Sequence, residues 1–111
     1  MKAYKVFKVA NGELHSAFEM GGRGLKYKEG QIMIDPKPDT GCEGLSILLE
    51  LEKAKDFLRA CPKGNIDAYL YIHYVLYEVY PLEEPRPYYP GEIGFYSEAF
   101  TDALIVGRRL E

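Results

Sequence analysis

A chain of 111 residues has room for one ordinary hydrophobic core, and a single domain over residues 1–111 is expected. Hydrophobic residues at 47% and charged residues at 28% are globular values, and no apolar run nears the roughly 20 residues of a membrane helix. Net charge is −3 and unevenly placed: six basic and two acidic side chains up to residue 28, eight basic and fifteen acidic beyond it. This balance, with no interleaving of aromatic and basic residues, argues against nucleic acid as a partner.

"MKAYKVFKVANG" lacks the apolar core of a secretory signal and alternates like a strand, so a cytoplasmic protein is expected. Tyr4 and Val6 share one strand face, and Phe7 and Val9 the other. Asn11-Gly12 supplies the two positive-φ positions of a type I′ turn, which predicts a hairpin of residues 3–10 with 13–19. The lysines read as solvated outer faces. His15, flanked by Glu13, Ala17 and Glu19, reads as exposed. "GGRG" at 21–24 reads as a turn rather than an anion-binding nest. "LKYK" at 25–28 and "QIMID" at 31–35 read as short strands around Glu29-Gly30. "PKPDTGCEG" at 36–44 reads as a loop, with Pro36 and Pro38 barring regular pairing.

In "LSILLELEKAKDFLRACP", Ile47, Leu51, Ala54, Leu58 and Cys61 form one helical stripe. The spacing predicts a helix from about residue 51, ended by Pro62. For "LSILL" itself, buried strand and helix stay open. Residues 67–81, "DAYLYIHYVLYEVYP", hold five tyrosines in fifteen residues. As a strand, Ala68, Leu70, Ile72, Tyr74 and Leu76 form one face, and Tyr69, Tyr71, His73, Val75 and Tyr77 the other. Tyr, Ile and Val favour strand, and no polar stripe marks a helix. A long, bulged central strand is therefore expected, with Ala54, Phe57 and Leu58 of the helix on Leu70, Ile72 and Leu76. "PLEEPRPYYPG" at 81–91 reads as extended loop or polyproline II. Short strands are expected near 93–98 and 102–109, with a turn at Thr101-Asp102. The fold class is α+β: an antiparallel-rich curved sheet of five or six strands with one main helix.

Cys42, Cys61, His15 and His73 are the residue types of a zinc site, but no pair has the close spacing of a chelating clip. Free thiols, no metal and no cofactor are expected. One helix cannot cover both faces of a central strand. Tyr69, Tyr71, His73 and Tyr77, with Arg86, Tyr88 and Tyr89 from the neighbouring loop, are therefore the candidate binding surface. The expected partner is a second copy, giving a homodimer, or else another protein or a small aromatic ligand. Ordinary core packing of the rings is the competing reading. The alternative function is a small nucleotide- or ligand-processing enzyme. Its cleft would lie between the tyrosine face and the 81–91 loop, with His73 as general base and Arg86 holding an anion. No residue pattern names a catalytic group.

The succession "KAYKVF" at 2–7, "GRGLKYKEGQ" at 22–31, "GCEGL" at 41–45, "LEKAKDFL" at 51–58 and "YEVY" at 77–80 resembles a loose group of small uncharacterised domains. These belong to phage, prophage and mobile-element genes. The resemblance spans residues 2–80, implies a strand at "LSILL", and brings no activity with it. The order of strand, glycine-ended turn, helix and long strand is also distantly similar to mono-ADP-ribosyltransferase cores. Those require an early Arg or His, a Ser-Thr or Tyr element and a late glutamate. Lys5 stands where the Arg is expected, and Ser46 or Glu98 would be strained choices for the rest, a departure that argues against the activity.

Overall fold

Asn11 and Gly12 take φ of 53° and 77° in the computed structural model, which describes residues 1–17, 25–36, 44–61, 72–87 and 97–111. This is the turn the Asn-Gly pair predicts. It joins β1 (Ala3–Ala10) to β2 (Glu13–Ser16), with Ala10 opposite Glu13 and Phe7 opposite Ser16. Along its other edge β1 pairs with β6 (Ile72–Pro81), from Ala3 opposite Val79 to Ala10 opposite Ile72. At its first turn of pleat β1 also meets β5 (Leu45–Leu48), through Tyr4 and Leu48. "LSILL" is thus a strand, and α1 (Leu51–Ala60) follows it directly. Of the expected helical stripe, Leu51, Ala54, Leu58 and Cys61 do share the cluster under the helix, whereas Ile47 belongs to β5 and packs in the interior core.

Five more short segments complete the sheet: β3 (Lys26–Tyr27), β4 (Ile32–Ile34), β7 (Arg86–Pro87), β8 (Glu98–Thr101) and β9 (Ala103–Arg109). The order is β4-β9-β6-β1-β5-β8-β7, with β2 on β1 and β3 on β2, and every pairing is antiparallel. The turn from β3 to β4 bonds to β9: Gly30 N–H donates to Val106 O at 2.8 Å, and Val106 N–H to Gln31 O at 3.1 Å. The path β1-β2-β3-turn-β4-β9-β6-β1 therefore comes round on itself, giving a nearly closed antiparallel roll. The radius of gyration, 13.4 Å, is that of one compact domain; about 13 Å is usual at this length.

The roll corrects several expectations. The protein is mostly β, so α+β describes it only coarsely, and nine β segments stand among the described residues where five or six were expected. The surplus comes from short pieces recruited by closure. Arg86–Pro87, expected as loop, pairs with β8 at the end of the strand order, where a proline leaves no ladder bond unmade. The bulge expected in β6 lies in its partner instead. Tyr77 faces Arg109 and Val79 faces Val106, so Gly107 and Arg108 of β9 together oppose Glu78.

Both sheet faces are buried, each by different means. Outside, α1 covers Val6, Leu48 and Leu76 with Ala54 and Cys61, and Phe57, Leu58 and Tyr74 pack at the margin. Inside, Phe7, Leu45, Ile47, Val75, Tyr77, Val79, Leu104 and Val106 form the core of the roll. The second face of β6 needs no second helix at Val75 and Tyr77, because the sheet folds over it. Phe7 sits at its centre, with its ring centroid 4.9 Å from Tyr27 and 5.4 Å from Tyr77, the latter edge-on.

Lys5 is not a solvated outer lysine. Alternation places it between Ala3 and Phe7 on the inner face, where it is 3% exposed. Its Nζ donates to Ser46 O and to Ser46 Oγ, and stands 5.4 Å from the Tyr27 ring centroid. Among the described residues, no helix is long and apolar enough to cross a membrane.

Candidate functional site

At one end of the roll the turns β1–β2 and β3–β4 meet the start of β6 and the end of β9. They line a cavity of about 490 Å³ that is open to solvent on one side. Strand alternation selects its walls. Val9 lies opposite His73, and Phe7 opposite Val75, so Val9, His73, Val75 and Tyr77 all point inward. Tyr27 reaches the same space from β3, with Lys28 and Glu29 on the turn beyond it and Arg109 at the end of β9.

Polar contacts at the mouth are local and specific. The Tyr77 hydroxyl donates to Glu29 Oε2 at 3.3 Å. Burial raises the Tyr77 hydroxyl above the usual tyrosine value, the neighbouring Glu29 carboxylate adds to this, and the Arg109 charge opposes it. Glu13 lies 3.3 Å from Lys26 Nζ and 3.6 Å from His15 Nε2. His15, expected to be exposed, is half-covered, because β3 pairs alongside it at Lys26. Among the described residues, neither Lys28 nor Arg109 forms an ion pair.

Of the candidate surface, His73 and Tyr77 come together in this cavity. Arg86 does not join them. His73 stands near one end of β6 and Arg86 beyond the other; the eight residue steps from His73 to Pro81 span roughly 26 Å at about 3.3 Å per residue. At the far end Arg86 Nη2 donates to Asp102 Oδ1 at 2.7 Å, and Nη1 lies 3.4 Å from Glu83 Oε1. The Arg86 hydrogen bond holds the Asp102 carboxyl below its ordinary range. Arg86 thus pins the β8–β9 corner and does not line the cavity that holds His73. Tyr69, Tyr71, Tyr88 and Tyr89 lie outside the described residues, as does Cys42.

Sequence reasoning missed Tyr27, Lys28, Glu29 and Arg109. The spacing of "LKYK" does put Tyr27 beside Leu25, one inward stripe. Nothing local marks Arg109, whose place depends on how β9 registers with β6. Among the described residues, no three His, Cys, Asp or Glu side chains cluster to hold a metal. Cys61 is a buried free thiol, pushed up to about 11 by burial. Comparison with protein-family models, curated proteins and solved structures found no match.

Proposed function

We propose that this is a non-catalytic binding domain whose roll-end cavity takes a small ligand with an aromatic ring. One observation carries the reading: His73 and Tyr77, chosen from a tyrosine-rich strand, share a cavity of about 490 Å³ with Tyr27, Val9 and Val75. The volume falls in the range of small-molecule pockets, about 300 to 1,000 Å³, and the lining adds the charged Glu13, Lys26, Lys28, Glu29 and Arg109 to an apolar floor. Tyr27 and Tyr77, 3% and 8% exposed, form the packed floor, and His73 and Gln31 supply directed hydrogen bonds nearer the solvent.

The test is equilibrium dialysis against phenol, indole, adenine, para-hydroxybenzoate and para-hydroxybenzamide. Wild type is compared with Val9→Trp, which fills the cavity, after circular dichroism shows that the variant is folded. Saturable binding of at least one compound, lost in the variant, is expected. Binding that survives Val9→Trp unchanged, or none by any compound, contradicts the proposal.

A further inference from the structure

We infer that the ligand of this cavity carries a single carboxylate, received by Arg109 with Lys28 beside it. This rests on the cavity being a binding site. Among the described residues, the lining contains three cationic side chains, Lys26, Lys28 and Arg109, and two carboxylates, Glu13 and Glu29. Glu13 is matched by Lys26 at 3.3 Å. Glu29 accepts the Tyr77 hydroxyl and offsets one of the other two cations. Among these described residues one positive charge is left over at the mouth, in a protein whose net charge is −3. Such a local reversal of sign draws anions to that spot.

Geometry chooses the anion. Arg109 faces Tyr77 across the β9–β6 pairing, so guanidinium and ring lie at the same mouth. The charge of Arg109 already acts on the Tyr77 hydroxyl. A ring seated against Val9, Leu14 and His73, beside the hydroxyl end of Tyr77, would thus project its substituent toward Arg109. The planar fork of a guanidinium matches a carboxylate with two parallel hydrogen bonds. A phosphate dianion would leave one negative charge unmatched beside Glu29, so a monoanion fits better.

Para-hydroxybenzoate and para-hydroxybenzamide have the same ring and differ in charge, which makes them the test pair. Isothermal titration is run with wild type, Arg109→Gln and Lys28→Gln, all at exposed positions. The acid is expected to bind wild type about tenfold more tightly than the amide or better, as a charge-assisted hydrogen bond implies. Arg109→Gln should erase that preference while leaving amide binding in place, and added salt should weaken the acid alone. Equal binding of acid and amide overturns the carboxylate inference and leaves the cavity reading standing. Failure of both probes, together with phenol and indole, overturns both.

Discussion

The Tyr77 hydroxyl donates to Glu29 Oε2 at 3.3 Å across 48 residues of sequence, tying β6 to the β3–β4 turn that closes the roll. Burial, more than the Glu29 charge, raises Tyr77 above the ordinary tyrosine value of about 10. A raised value in the fold means stability that is fully present below about pH 10 and is lost as pH rises through the folded value. Tyr77→Phe removes this contribution. Its urea midpoint should therefore fall less steeply than that of wild type above about pH 10. Tyr74 and Tyr80 are also raised, by burial and by the Glu78 hydrogen bond respectively, so part of the slope remains. Parallel curves for the two proteins would show that Tyr77 ionises freely.

Phe7 is fully buried between two rings, whereas Leu58 stands at the margin of the helix-covered cluster. Phe7→Ala should cost about 3–5 kcal/mol, and Leu58→Ala should sit near the low end of the usual 2–5 kcal/mol range. Denaturant unfolding checks both. A larger loss at Leu58 would mean that the helix face, not the interior of the roll, is the principal core.

What was legible in the sequence was local. Asn11-Gly12 set the first hairpin through its own backbone preferences, and the stripe from Leu51 to Leu58 set the helix. Alternation also sorted β6 correctly into Tyr74 and Leu76 outward, His73, Val75 and Tyr77 inward. What alternation does not encode is what covers a face. Tyr77 looked exposed because one helix has only one side, yet Phe7 packs edge-on against it inside the rolled sheet. Lys5 misled for the same reason: its inward place becomes tolerable only when β5 brings Ser46 to its Nζ. Half of the cavity was visible in the tyrosine strand. Arg109 and Glu29 were not, since closure joins them to it from distant segments.

Gly107 shows how tight that closure is. A Cβ at this position would stand 2.7 Å from Glu78 O and 2.8 Å from Tyr80 Cε2. The first of these is backbone of the paired strand, so β9 would have to move away from β6 at the bulge. Gly107→Ala is expected to destabilise by roughly 1–3 kcal/mol, read as a lowered urea midpoint. Gly12→Ala makes a useful contrast. Nothing lies within 4 Å of a Cβ there, and its φ of +77° alone sets the strain. An unchanged midpoint for Gly107→Ala would contradict the close β6–β9 approach.

Titration of isotope-labelled protein with para-hydroxybenzoate and para-hydroxybenzamide, followed through its amide resonances, reads the cavity itself. Saturable shifts should gather at Val9, Lys28, Val75 and Arg109, with the amides of α1 left in place. Shifts confined to the outer apolar residues Ile32, Ile34 and Leu82, which are 59%, 66% and 51% exposed, would contradict a ligand site inside the roll, as would no shift from either compound.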